Sequence, residues 1–395
     1  MNAPRQPAPA TALSERPAVS ASFELPPLSL YVHISWCVKK CPYCDFNSHA
    51  AGPSLPEEAY VDALLADLEA EREQAQGRPL RSIFFGGGTP SLFSAKALGR
   101  FLDGAQQRLS FSEDIEITLE ANPGTFEQAK FTAYRQLGIN RLSIGIQSFQ
   151  DSKLKALGRI HDGGEAVRAA DMARAAGFDN FNLDLMHGLP EQTLEEALAD
   201  LHLAIAQQPS HLSWYQLTME PNTQFWSQPP SLPEDDTLWD IQEAGQALLA
   251  EQGYAQYETS AYARPQRQAR HNLNYWTFGD FIGIGAGAHG KLSHADGRIQ
   301  RTWKTRLPKD YLASAQRQQA GARWLDAQEL PFEFLMNALR LREGFAEPLF
   351  AARTGLPLGR LEPQLTACLD EGLLERQAGQ PQPARAQQGR QAKPR

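Results

Sequence analysis

The chain is short of cysteine, of long apolar runs and of positive charge, and each shortage excludes something. Four cysteines in 395 residues are too few for a disulfide scaffold and suit a reducing compartment. Three of the four, Cys37, Cys41 and Cys44, fall within eight residues, an arrangement that even pairing does not satisfy. No apolar run approaches the roughly 20 residues of a membrane span. Met1 to Ser22, rich in Ala and Pro, lacks the apolar centre of a signal peptide, and its sparse Arg5 and Arg16 with Glu15 do not make a transit peptide. It reads as a disordered arm on a cytoplasmic protein. Lys and Arg number 38 against 46 acids, a net charge of -8, which weighs against a broad nucleic-acid surface. The run Gly86-Gly87-Gly88-Thr89-Pro90 lacks the spacing and lysine of a triphosphate loop. Gly283 to Gly290, GIGAGAHG, has no strand-helix unit with a later acidic residue around it, so a dinucleotide loop is not expected there.

What is present is concentrated in Leu28 to Ser48, LSLYVHISWCVKKCPYCDFNS. An apolar strand-like run, Leu28 to Ile34, leads into a loop carrying the three thiols, and so local a trio asks for a metal. From spacing alone two readings stand side by side. One is closed structural zinc, with His33 or His49 as the fourth ligand. The other is a 4Fe-4S cluster held by three thiolates, with its fourth iron open to an exogenous ligand.

Behind that loop, strands and helices alternate. Strand-like segments at Ser82 to Phe85, Ile115 to Leu119, Leu142 to Ile146, Phe181 to Met186 and Leu212 to Leu217 are separated by helical ones. The helical segments lie around Tyr60 to Leu68, Ala95 to Arg108, Phe126 to Leu137, Glu165 to Ala176 and Leu194 to Gln207. Single helices between strands predict an α/β fold with a parallel sheet, either open and doubly wound or a full or partial barrel. In both, the C-terminal strand ends hold the site. The bare GGGTP turn, Glu120, Gln147, Arg159 and Asp184 all fall at or near such ends, where each alone reads as a turn, cap or surface residue and together they line one rim. The spacing divides the chain into an arm (1–24), the α/β core (25–225), an extension and connector (226–310), a C-terminal helical unit with a final turn and short strand, winged-helix-like in outline (311–376), and a disordered basic tail (377–395).

CxxxCxxC with Tyr43 before its last cysteine, together with the GGGTP turn, resembles the radical S-adenosylmethionine superfamily. Tyr31-Val32-His33-Ile34, GGGTPS, Ile144 to Phe149, Leu157-Gly158-Arg159 and Asn182 to Pro190 are similar to the oxygen-independent coproporphyrinogen III oxidase group, and the similarity runs from Leu28 to Asp370. The resemblance implies a partial (β/α)6 barrel and a C-terminal domain. It implies a 4Fe-4S cluster on Cys37, Cys41 and Cys44, and S-adenosylmethionine in contact with Tyr31, Tyr43, Gly87, Gly88, Thr89, Glu120, Gln147, Arg159 and Asp184. Within that group the oxidase carries a further cysteine two residues after its third ligand; here Phe46 stands there. That difference and Arg270-His271-Asn272-Leu273-Asn274-Tyr275-Trp276 resemble the haem chaperone branch, the HemW-like proteins. The resemblance therefore implies a haem chaperone with haem as cargo, His271 as its first candidate ligand and an acceptor protein as partner. The oxidase is the alternative, and an RNA-modifying radical enzyme, disfavoured by the acidic balance, is a third.

Overall fold

Leu28, Leu30, Val32 and Ile34 make an apolar face, the alternate face of Ser29, Tyr31 and His33 is largely buried too, and the run forms β1 (Leu28–Ile34) between two parallel neighbours. The computed structural model describes residues 23–124, 128–313, 318–377 and 380–383. After β1 the chain runs through α1 (Glu57–Glu71), β2 (Leu80–Gly87), α2 (Ala95–Arg108), β3 (Phe111–Ala121), α3 (Gln128–Gln136), β4 (Arg141–Gln147), α4 (Gly163–Ala175), β5 (Phe181–His187), α5 (Leu194–Ala206) and β6 (His211–Gln216). Each strand pairs in parallel with the next. The helices start where their sequences dictate. Asp162 and Thr193 are N-caps of capping boxes closed by Glu165 and Glu196, and Ser94 caps α2. In α1 the four-residue stripe Tyr60, Leu64, Leu68 is wholly buried against the sheet.

Six parallel strands are what the alternation predicts; the structure adds to them. After α6 (Asp235–Glu251) and the antiparallel pair β7 (Ala255–Glu258) and β8 (Ala261–Ala263), helix α7 (Arg270–Trp276) leads into β9 (Asp280–Ile284), which lies parallel on the other side of β1. Three antiparallel strands follow: β10 (His289–Ser293), β11 (Ile299–Lys304) and β12 (Gln319–Trp324). The sheet has 12 strands, in the order β12-β11-β10-β9-β1-β2-β3-β4-β5-β6-β8-β7, and it is open. Strand β9 escapes sequence reading because it is five residues long, begins with a buried aspartate and ends inside the glycine run. That run is a turn between strands, as its lack of a following helix predicts. Gly285 sits at φ +100°, and a Cβ there would meet the carbonyl oxygen of His33 at 2.4 Å.

Two buried charge groups lock the extension to the barrel. Lys304 donates to Asp67 and Glu71 of α1, each at 2.6 Å, and Lys291 and Arg78 both pair with Asp280. Removing one partner of such a group strands a buried charge and costs about 3–5 kcal/mol.

The C-terminal unit has its own core. Helices α8 (Leu330–Ala338), α9 (Glu347–Thr354) and α10 (Glu362–Asp370) surround Phe334, which meets Phe345 and Phe350 edge-on at 4.9 and 5.2 Å. Strands β13 (Leu374–Gln377) and β14 (Gln380–Pro383) pair antiparallel, so strand pairing continues past position 376, beyond which the basic tail is expected. Tyr311, assigned by spacing to this unit, packs instead on Tyr60 in the barrel core. Of the expected arm, residues 1–22 lie outside the described residues, as do residues 384–395 of the expected tail; Glu24 is tied down by a hydrogen bond to Ala352. Among the described residues no helix is long and apolar enough to cross a membrane.

Candidate cofactor site

The cysteine loop is a closed structure. The two-residue strand Trp36–Cys37 pairs in parallel with His49–Ala50, and Cys44 N–H donates to Cys41 O at 3.2 Å, so the loop is clamped at its neck and turned at its tip. Lys40 donates to the carbonyl oxygens of Phe46 and Ser48, bracing the far limb. All three thiols line one cavity of about 350 Å³. Burial pushes the Cys37 and Cys44 thiols up, and the hydroxyl of Ser48 lies 3.7 Å from Cys44 Sγ.

Beside the loop stands the glycine turn. Gly88 N–H donates to Ile34 O and Thr89 N–H to Trp36 O, both at 2.7 Å. A Cβ on Gly88 would lie 2.5 to 2.8 Å from the backbone of Trp36, and Gly87 has φ +114° with the His33 ring directly against it. The turn is bare because the cysteine strand occupies the space a side chain would need. Gly88→Ala is therefore expected to cost about 1–3 kcal/mol by forcing that strand outward and to lower iron retention with it. A variant with the wild-type urea midpoint and iron content would refute this.

The carboxylates come next. Gly87 N–H donates to Glu120 Oε2 at 3.1 Å at the end of β3. Burial, with Asp184 as a second negative neighbour, raises the Glu120 carboxyl to about 8. Asp184 on β5 is also raised by burial, although it accepts hydrogen bonds from Ser143 at 2.8 Å and Asn182 at 2.9 Å. Two buried acids facing one cavity disfavour each other's charge, and a cationic ligand between them reverses that preference.

Gln147 closes β4 in the left-handed region at φ +69°, where the β4–β5 register shifts, and its Oε1 accepts from Tyr215 at 3.0 Å. Arg159 donates to Asn122 Oδ1 and Gly145 O, at 2.8 and 2.7 Å, and reaches Cys41 Sγ at 3.6 Å. It sets a fixed positive charge beside one of the three loop thiols. The wall includes Tyr43, Gly87, Gly88, Glu120, Gln147, Arg159 and Asp184.

Two expected residues stand slightly apart. Thr89 lines the adjoining cleft with Cys41 and Arg159, accepting from Asn122 at 2.8 Å. Tyr31 lies behind the wall: its ring stacks on Phe84, and its hydroxyl is 2.8 Å from His33 Nδ1. His33 Nε2 lies 2.9 Å from Asn47 O, which can only accept, so Nε2 carries the proton and Tyr31 donates to Nδ1. Both nitrogens of His33 are thereby used, which removes it as a zinc ligand. Sequence reading missed Asn122, Ser143, Ser213 and Tyr215, all in the wall. The only available signal was their inward register on strands or just past strand ends.

His271 is not among the cavity-lining residues, whereas Asn272 and Trp276 of the same helix are. Its ring packs on Phe84 with centroids 4.1 Å apart, and Nδ1 lies 3.3 Å from Glu116 Oε1. Glu116 also accepts from Arg270 N–H at 2.9 Å. Burial alone would raise the Glu116 carboxyl, but its bonds and the charges around it, His271 first, bring it down to about 2. An ionised Glu116 assigns the imidazole proton to Nδ1 and leaves a lone pair on Nε2.

A family model for the radical SAM superfamily matches residues 31–204, and one for the HemN C-terminal domain matches residues 325–383. The chain is 56% identical over 351 residues to the heme chaperone HemW of Escherichia coli, covering 89% of this chain and 92% of that one. The chain belongs to the HemW haem chaperone family. The Haemophilus influenzae member is 52% identical over 355 residues, again across 89% and 92% of the two chains. Coproporphyrinogen III oxidase (HemN) from Escherichia coli, a radical SAM enzyme at 23% identity, superposes with a TM-score of 0.77 over 92% of this chain and 88% of its own, which shows the shared fold.

As a radical SAM protein of this family, the chain takes a 4Fe-4S cluster and S-adenosylmethionine, and the residues present fit both. Both ring nitrogens of His33 are engaged, and the family places an iron–sulfur cluster where the spacing alone also allowed closed zinc. Three thiols lining one cavity suit three corners of a cluster. Cys37, Cys41 and Cys44 would hold it, and the raised Glu120 and Asp184 suit the sulfonium and ammonium charges of S-adenosylmethionine. Bound, the pair supplies one-electron chemistry; the protein's own part is to fix the loop, exclude water and balance charge.

Proposed function

We propose that this protein, as a HemW-family haem chaperone in the cytoplasm, binds haem at the cavity that opens beside its cluster loop and passes it to an acceptor protein. The observation that carries this reading is the similarity, over 89% of this chain, to proteins named for haem chaperoning. Phe46 supports it: where the resemblance would place an oxidase's extra cysteine, this chain exposes a phenyl ring at 61% on the cavity wall. Together with Tyr43, Tyr215 and Trp276 it offers apolar faces to a macrocycle.

His271 is the proposed iron ligand. Metal-bound histidines characteristically donate their other N–H to a carboxylate, and Glu116 stands in that place. Ligation through Nε2 requires the ring to gain access past its present packing on Phe84.

The shared fold with HemN gives coproporphyrinogen oxidation as the second reading. Anaerobically reconstituted protein should give a stoichiometric Soret shift with haem and no sustained conversion of coproporphyrinogen III; sustained decarboxylation would overturn the chaperone reading. In His271→Ala the Soret band should move or vanish. An unchanged band rejects the ligand and spares the function.

A further inference from the structure

Part of the cavity wall is used neither by the cysteines nor by the S-adenosylmethionine residues. It is built from three separate segments: Glu258 and Ser260 around the turn between β7 and β8, Asn272 and Trp276 on α7, and Arg340 just beyond α8 in the C-terminal unit. Arg340 is delivered there by backbone pairing across the two units. Leu341 forms an isolated antiparallel bridge with Glu258, and Arg342 N–H donates to Tyr257 O at 3.0 Å.

The guanidinium of Arg340 lies over the Trp276 ring, 4.4 Å from its centroid, and its Nη2 donates to Glu258 Oε2 at 3.2 Å. Glu258 is 4% exposed and its other oxygen is held by Ser260 N–H at 3.0 Å, so it acts as a fixed counter-charge that orients the arginine. Arg340 itself keeps 38% of its side chain accessible. Its Nε and the Trp276 Nε1 are both buried with no acceptor. Buried donors without acceptors are costly. Two such donors on side chains that line one cavity, one of them on a half-open guanidinium, mark a place where an acceptor belongs.

We propose that this part of the cavity is a carboxylate subsite for a flat conjugated ligand, with Arg340 taking the carboxylate and Trp276 and the guanidinium plane flanking the ligand's edge. On the haem reading, on which this inference rests, the carboxylate is a propionate of the cargo. The C-terminal unit then contributes a recognition residue to the barrel's cavity.

The test uses the full-length, cluster-loaded protein titrated with haem and with haem dimethyl ester, which lacks the carboxylates, and follows the Soret band. Wild type should prefer haem over the diester by about tenfold or more, the worth of a charge-assisted hydrogen bond. Arg340→Leu should weaken haem binding by a similar factor and leave the diester unchanged. Because that variant strands the Glu258 charge, Arg340→Leu/Glu258→Gln is measured beside it and should show the same loss of preference, while Arg340→Lys restores part of it. Equal binding of the two ligands by wild type, or equal weakening of both by Arg340→Leu, overturns the subsite and leaves the haem reading standing. A wild-type protein that binds neither ligand overturns both.

Discussion

Cys41→Ser protein, reconstituted anaerobically, should hold almost no iron or sulfide, where wild type should hold about four of each per chain. Cys41 is the thiol in contact with the Arg159 guanidinium, and it lies midway along a loop whose ends are pinned by the Trp36–Cys37 and His49–Ala50 pairing. Two remaining thiols hold two corners only. Cys368→Ala should retain the full cluster, because Cys368 is in α10 and packs against the separate C-terminal core. Iron and sulfide analysis decides both. Tight zinc without iron uptake, or a cluster lost in Cys368→Ala, would overturn the ligand assignment.

S-adenosylmethionine affinity should fall by tenfold or more in Asp184→Ala and likewise in Glu120→Ala, since a hydrogen bond to a charged partner contributes about 1.5–3 kcal/mol. The pH dependence has a definite sign. Glu120 has its carboxyl raised from 4.5 to about 8 in the ligand-free fold, so it is neutral below that pH and must shed its proton when a cation binds. Apparent affinity should therefore rise with pH up to about 8 and level off beyond it, and Glu120→Gln should flatten the profile. The same shift acts on stability in the opposite direction. The folded chain holds a proton that the unfolded chain releases, so this contribution is present at acid pH and is lost as pH climbs from 4.5 through about 8. Calorimetry at several pH values reads the first effect. Unchanged affinity in both alanine variants would remove the two acids from the site.

How much of this was legible beforehand follows from what periodicity reports. The βα units from β1 to β6 announce themselves through short apolar strand segments and helix caps such as Asp162 and Thr193. The placement of the cysteines, Gly87, Gly88, Glu120, Gln147, Arg159 and Asp184 around one cavity was reachable because loop and strand ends fix where they lie. Strand β9 was not, being too short and too polar to show a period. Nor was Arg340, which comes to the cavity only through the bridge between Leu341 and Glu258, a pairing 83 positions apart in sequence that no local pattern encodes. His271 shows the reverse case. Its sequence neighbours Asn272 and Trp276 face the cavity while helical pitch turns its own ring toward Glu116.

A sheet of 12 strands that never closes has two free margins, and they are treated differently. At β7 the bridge from Leu341 covers part of the row of backbone groups. At β12 almost every residue is exposed, and the outer side has no strand partner among the described residues. Such a margin invites pairing with another chain. What opposes it here is charge: Arg323, held by Glu329 at 2.8 Å, stands on that strand, beside Trp324 and the stacked Arg298. High salt, which screens those ions, is therefore the condition under which β12 is least protected.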